Sequence, residues 1–366
     1  MQRRVKRYIC CLLAALCLYS SFPCRSLAVS TSATSAILMD ADSGRVLYEQ
    51  NADGKMLIAS TTKVLTALIT IESCSLSETV TVSRNAAGTE GSAMYLKAGE
   101  QLPLETLLYG LMLCSGNDAA VAIAEHVSGS CEKFAARMNE RAAELGMESS
   151  SFANPNGLDD EKHYSTARDM ALLACAALEN ETLMRIASTR SITIDGRTMT
   201  NHNKLLSRQA GCLGLKTGYT RAAGRMLVSC AEQNGQRHVA VTLQDGNDWA
   251  DHQTLYEYGF SAYPLHFCAR KGQMVSREAV AGGIVSRIPL LAEETVSWPL
   301  GQGETVKTEI SLYRPLTAPL TAGEAVGEAI FTVGGREVGR TALLAGGDVL
   351  PRLDRAIETL KAGLPG

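Results

Sequence analysis

The order of hydrophobic periodicities along this chain is its tightest constraint. Apolar residues run through Ala36–Asp40 and Arg45–Tyr48, with Ala41-Asp42-Ser43-Gly44 between them as a hairpin turn. From Ser60 to Ala187 the apolar spacing becomes three and four. It predicts helices starting near Ser60 (Val64, Leu65, Ala67, Leu68, Ile71), from Leu104 to His126, from Cys131 to Leu145, and from Thr166 to Ala187. Strand-like runs then return at Ser191–Ile194, Leu213–Thr217, Met226–Cys230 and Val239–Thr242. Strand, helices, strand is not the alternating pattern of a doubly wound fold. It predicts an α/β (α+β) unit whose sheet accommodates a helical insertion. Beyond Pro264, short Val/Ile/Leu/Thr runs broken by Gly or Pro predict a separate small β domain over 264–347, with a short helical tail over 348–366.

The first 28 residues stand apart. They hold Arg3, Arg4, Lys6, Arg7 and Arg25, no acid, a ten-residue apolar stretch from Ile9 to Leu18, and the small-residue exit Ser26-Leu27-Ala28. That is the pattern of a secretory signal peptide, and ten residues are too few to cross hydrocarbon. Cleavage after Ala28 would leave 338 residues with 30 basic and 38 acidic side chains, a net charge of −8 against −3 for the whole chain. This balance disfavours a nucleic-acid partner. Seven of eleven cysteines would remain, an odd number without CxxC pairs, which does not describe a disulfide framework. An exported protein, working outside the cytoplasm without obligatory disulfides, is expected.

Three short elements carry chemistry: Ser60-Thr61-Thr62-Lys63, Ser115-Gly116-Asn117 and Lys216-Thr217-Gly218. Each pattern alone is weak, because Ser130-Cys131-Glu132-Lys133 also matches SxxK and Ser83-Arg84-Asn85 also matches SxN. Context separates them. Ser60 opens a long apolar helix, so Ser60 and Lys63 share one face of its first turn, whereas Ser130 follows Gly129 and reads as a capping serine. A serine hydroxyl needs a neighbour to take its proton, and a lysine can do so only if desolvation and nearby positive charge lower its pKa. Lys63 at the base of an apolar helix, with Lys216 brought close, meets both conditions. Ser115 would relay a proton to the leaving amine, and the Asn117 amide would hold a substrate backbone group. Thr217 would bind a carboxylate, Gly218 would leave room for an extended peptide, and the N–H groups of Ser60 and Tyr219 would form an oxyanion hole.

The three elements occur in the order known from penicillin-binding proteins and class A β-lactamases. The flanking segments EGSAMYLKAGE (90–100), LMLCSGNDAA (111–120), FANPNGLDDEKHYSTARDMA (152–171), NHNKLL (201–206) and GLKTGYT (214–220) resemble the D-alanyl-D-alanine carboxypeptidases of serine peptidase family S11. The likeness runs from about Ser35 to Phe260, and 265–347 resemble that family's C-terminal β domain. The resemblance implies a transpeptidase/β-lactamase-like catalytic domain over 29–263, with a five-stranded antiparallel sheet and a helical subdomain. It implies removal of the terminal D-Ala from peptidoglycan stem pentapeptides through an acyl-enzyme on Ser60, with β-lactams as acylating inhibitors. On this reading Ser60, Lys63 and Ser115 are catalytic, and Asn117, Lys216, Thr217, Gly218 and Tyr219 bind substrate. No metal or cofactor is expected.

Three points depart from the family or stay open. Many members carry an arginine after the last catalytic strand to bind the substrate's carboxylate. Here Gln244–His252 contains neither Arg nor Lys, so carboxylate binding is expected to lean on Thr217, Lys216 or a basic residue elsewhere, such as Arg221 or Arg225. The tail places Leu350, Leu353, Ile357 and Leu360 on one helical stripe, either for weak membrane-surface contact through residues 350–361 or for docking on the β domain. His163 and His202 are read as structural hydrogen-bonders. Among rival activities, a D,D-endopeptidase would use the same site. A β-lactamase lacks its Glu-x-x-Leu-Asn element between Ser115 and Lys216, and a non-catalytic wall-binding module would have no need of three intact motifs.

Overall fold

In the computed structural model, which describes residues 29–352, the two runs of strands separated in sequence by the helices meet in one sheet. Its five antiparallel strands stand in the order Val46–Gln50, Ser35–Asp40, Gln236–Leu243, Gly224–Gln233, Cys212–Thr220. The earliest strand therefore pairs with the latest of the five, Ala36 opposite Thr242 and Leu38 opposite Ala240, closing the helical insertion into a single unit. Ser35–Asp40 is buried at every position because helices pack against this sheet, Ala167–Leu178 and Asp248–Ala262 among them. Burial on both faces explains why this strand reads as a continuous apolar run instead of alternating.

The helix Lys63–Ser73 is buried over eight consecutive residues, Lys63 to Thr70. It runs through the core in contact with Leu104–Leu113, Asn117–Ser128 and Ala167–Leu178. Fully buried side chains such as Leu65, Leu68 and Ile69 each contribute about 1.5–3 kcal/mol. That packing makes its N-terminal end a rigid place to hold reactive groups.

Several expectations need correcting. The helix read from Leu104 to His126 is two helices, Leu104–Leu113 and Asn117–Ser128. Ser115 adopts φ 60°, and the Gly116 and Asn117 N–H groups go to Gly110 O and Ser92 O. The helix read from Thr166 to Ala187 also divides, because the Asn180 side chain caps a second helix, Glu181–Ala187, by accepting from Leu183 N. Ser191–Ile194 pairs only with Arg197–Thr200, in a ribbon outside the main sheet. Asp248–Ala262 is a helix that the periodicity did not reveal, since the residues it buries include Asp248, Asp251 and His252 beside Leu255 and Tyr256.

Residues 265–345 add a second five-stranded sheet, a two-stranded ribbon (Leu265–Ala269 with Val296–Pro299) and a separate apolar core around Leu290, Ala329, Phe331 and Leu343. Arg45, from the first hairpin, ties this part to the main sheet. It donates to Pro299 O and to both carboxylate oxygens of Glu304, and stacks on Tyr263 and Trp298. The start of the expected helical tail is extended instead. Val349 pairs with Leu320 and Pro351 bridges to Gly283, leaving Leu350 exposed. Pro351 disfavours a helical conformation at the residue before it. The leader over 1–28 and the tail beyond Arg352 lie outside the described residues. Among those described, no helix is long and apolar enough to cross a membrane.

Candidate active site

Ser60 lies in a 3-10 turn, Ala59–Thr62, that precedes the Lys63–Ser73 helix. The turn is pinned by its own hydroxyls, Thr61 Oγ1 donating to Ile58 O and Thr62 Oγ1 to Ala59 O. Behind it, His163 Nδ1 accepts from Ala153 N at 3.1 Å, so Nε2 carries the proton and donates to Thr62 Oγ1 at 2.7 Å. Burial lowers the His163 pKa to about 4, which keeps the ring neutral. His163 thus has the structural role read from the sequence.

Two glycines let other segments close on this turn. Gly157, at φ +86°, approaches so closely that an added Cβ would lie 1.9 Å from Ala59 O. A Cβ on Gly218 would meet Ile58 O at 3.1 Å and Ser60 N at 3.2 Å. The space that Gly218 leaves is filled by the Ser60 turn, a different reason for glycine than room for a peptide. The strand carrying Lys216-Thr217-Gly218 is thereby laid against the nucleophile.

Lys63 is fully buried, and its Nζ lies 2.9 Å from Ser60 Oγ, 2.7 Å from Asn117 Oδ1 and 2.5 Å from Asn156 O. Burial, and then the nearby Lys216 charge, hold its pKa well below the usual lysine range, with Asp118 opposing. The geometry specifies what the neutral amine does. Its two N–H bonds are taken by Asn117 Oδ1 and Asn156 O, which leaves the lone pair for the Ser60 hydroxyl. Lys216, also buried, donates to Thr217 O, and desolvation brings its pKa down to about 7.

The Asn117 amide is engaged at both ends, since Nδ2 donates to Glu90 O at 2.7 Å. In this arrangement its oxygen orients Lys63, while the second Nδ2 hydrogen has no partner among these contacts. Asp118, which the motif reading passed over, accepts from Met94 N and Leu96 N and so straps the 90–96 segment against the Ser115–Asn117 turn. Asn156 was also missed as a partner of Lys63. The segments EGSAMYL and FANPNGL carried the signal, but only folding shows that their backbone is what they contribute.

Ser60, Ser92, Ser115, Thr217, Gly218 and Tyr219 line a cleft of about 330 Å³, with His202, Lys204, Arg225 and Trp249 on its other walls. Tyr219 is largely exposed at the rim. Arg225 forms a two-pronged pair with Asp248, at 2.6 and 3.2 Å, and its guanidinium lies 5.7 Å from the Trp249 ring centre. Of the two arginines expected to compensate for the missing one, Arg225 lines the cleft and Arg221 does not. Burial and Lys216 lower the pKa of His202, whose ring lines this cleft; the fold uses its backbone N–H, which donates to Leu113 O, and not its ring as expected.

Comparison with known proteins agrees with this arrangement. The D-alanyl-D-alanine carboxypeptidase family S11 matches residues 24–247, and the C-terminal domain of penicillin-binding protein 5 matches 266–350. D-alanyl-D-alanine carboxypeptidase DacF of Bacillus subtilis is 33% identical over 89% of this chain and 88% of its own length. DacC of Escherichia coli is 34% identical over 87% and 84%. Penicillin binding protein 5 from Haemophilus influenzae superposes with a TM-score of 0.71 at 28% identity, covering 88% of this chain and 98% of that one. Family match, relatives of nearly equal length and a shared two-part architecture together mean that this chain belongs to the D-alanyl-D-alanine carboxypeptidases of family S11, penicillin-binding serine peptidases of the cell wall.

Proposed function

We propose that this chain removes the terminal D-Ala from peptidoglycan stem pentapeptides by acyl transfer through Ser60. The observation that carries the assignment is the Lys63 amine, with a 2.9 Å contact to Ser60 Oγ and both of its other directions occupied by acceptors. Lys63 takes the Ser60 proton as Oγ attacks the penultimate D-Ala carbonyl. The developing oxyanion is met by the N–H groups of Ser60 and Tyr219, a donor type worth about 10²–10³ in rate. Ser115, across the cleft, passes the proton to the departing D-Ala amine, and the C–N bond breaks to leave an ester on Ser60. Water then adds to that ester with Lys63 again as base, releasing the shortened peptide. A β-lactam enters by the same attack and stops at the ester.

Asn117 positions Lys63, and Lys216 keeps the Lys63 amine neutral while favouring the negative transition state. Thr217 and Arg225 receive the substrate's terminal carboxylate. Residues 1–28 serve as the export signal, 29–263 as the catalytic unit, 264–347 as a β accessory domain and 348–366 as a short tail, with weak membrane-surface contact confined to residues 350–361. Trimming pentapeptides removes the donors of cross-linking, which limits cross-linking as the wall matures and bears on cell shape.

The test is direct. The purified chain is incubated with benzylpenicillin and, separately, with diacetyl-Lys-D-Ala-D-Ala, followed by peptide mass spectrometry and measurement of released D-Ala. A penicilloyl adduct on Ser60 and release of D-Ala are expected. An adduct on another residue, or neither product, would sink the assignment.

A further inference from the structure

Away from the cleft, the far ends of two of its helices converge on three side chains that the acyl transfer does not use. Cys74 caps the C-terminal end of Lys63–Ser73, Glu78 lies four residues further on, and His126 is in the last turn of Asn117–Ser128. One donor atom from each, the thiol sulfur, a carboxylate oxygen and a ring nitrogen, all lie within 4.8 Å of one another. His126 Nε2 is already 3.0 Å from Glu78 Oε2. A tetrahedral Zn²⁺ with bonds of about 2.0–2.3 Å places its donors roughly 3.3–3.7 Å apart, so small side-chain adjustments bring the three into range.

We propose that Cys74, Glu78 and His126 form a binding site for a borderline-soft divalent cation, with Zn²⁺ the best match and water as the fourth ligand. The donor set is the first argument, because a thiolate with an imidazole selects Zn²⁺ over the hard cations Mg²⁺ and Ca²⁺. Charge is the second. Binding breaks the Cys74 S–H bond, releases its proton to solvent and forms an S–Zn bond, after which thiolate and carboxylate together balance the 2+ ion. Preorganisation is the third, as the other oxygen of Glu78 accepts from Ser75 N at 2.7 Å and is held in place. Both helices also direct the negative ends of their dipoles toward this spot. The side chains of Glu78 and His126 are 43% and 23% exposed, which leaves an entry path and space for water. Arg137, the cation felt by Cys74, is turned to the Ser73 hydroxyl.

The same two helices carry Lys63 and Asn117 at their other ends. A cation here clamps them together without touching a reacting atom, so it raises stability and leaves acylation unchanged. The test titrates the purified, reduced chain with Co²⁺ as a spectroscopic substitute and follows thermal unfolding with and without Zn²⁺. The expected result is a thiolate-to-cobalt charge-transfer band and a Zn²⁺-dependent rise in Tm, both lost in Cys74→Ser. Glu78→Gln should weaken binding by at least the ~10–100-fold that loss of even an outer-shell partner costs. Metal-free benzylpenicillin acylation should match the unsubstituted chain in both variants. Absence of the band from the intact chain, or its persistence in Cys74→Ser, would overturn the site. Should Cys74→Ser fail to fold, an undiminished affinity in Glu78→Gln, whose side chain is partly exposed, would do the same.

Discussion

Two serines in this chain are each followed three residues later by a lysine, and the fold treats them in opposite ways. Ser60 lies beside a lysine that is wholly buried, with Nζ on its hydroxyl and a second buried lysine nearby. Ser130 spends its oxygen accepting from the backbone N–H of Lys133, at 3.2 Å, as the N-cap of Cys131–Glu144. The residue pattern is the same, but only one lysine has lost its water. An exposed ammonium near pH 7 has no lone pair to offer, whereas a desolvated amine beside another cation does. Burial, not spacing, separates a base from a helix cap.

The sharpest way to break this contrast is Ser60→Ala against Ser130→Ala. The first should abolish both the penicilloyl adduct and D-Ala release, and the second should leave both rates unchanged. An adduct surviving in Ser60→Ala would end the comparison. Next in size, Lys63→Met should slow acylation by about 10²–10⁴-fold, the usual worth of a positioned general base. Stopped-flow acylation alongside circular dichroism separates that loss from misfolding.

Gly157→Ala tests the packing behind the contrast. Its Cβ would meet Ala59 O at 1.9 Å from a φ of +86°, so the variant should lose both Tm and acylation rate. Retention of both would mean that the Ser60 turn tolerates displacement. A fourth test uses pH. Lys216 titrates near 7 when folded, against an ordinary 10.5. Between those values the unfolded chain binds the extra proton, so this group makes stability rise with pH, by on the order of 1 kcal/mol per pH unit. Urea unfolding of the chain and of Lys216→Met across that window should show the slope shrinking in the variant. An unchanged slope would mean that Lys216 is not desolvated. The smallest effect belongs to Ser130→Ala, which should cost about 0.5–2 kcal/mol as a lost N-cap, read as a drop in Tm.

The reading from sequence succeeded where local physics dominates. Strand runs, the apolar helix after Ser60 and the capping role of Ser130 depend on near neighbours, and the structure has them. Misses follow from long-range claims on the backbone. The division at Ser115–Asn117 exists because Ser92 O, from a segment far earlier in the chain, takes the Asn117 N–H. The Asp248–Ala262 helix hid because its buried face carries Asp248, Asp251 and His252, whose polar groups find partners only in the fold. Asp251, for instance, accepts from Ser32, and His252 bonds Ser229 and Thr242. No periodicity of apolar residues reports such a helix.

By itself the sequence determined most of the strand runs and the apolar helix after Ser60, that the sheet must close around a helical insertion, and which residue types are available for acyl transfer. Only the tertiary structure decided what each does. It delivered Asn156 O and Asn117 Oδ1 to Lys63, filled the gap at Gly218 with the Ser60 turn, and set Arg225 in the cleft. Hydrogen-bond direction and desolvation are properties of three-dimensional neighbourhoods. In this chain those neighbourhoods join residues from Lys63 to Arg225 around one serine.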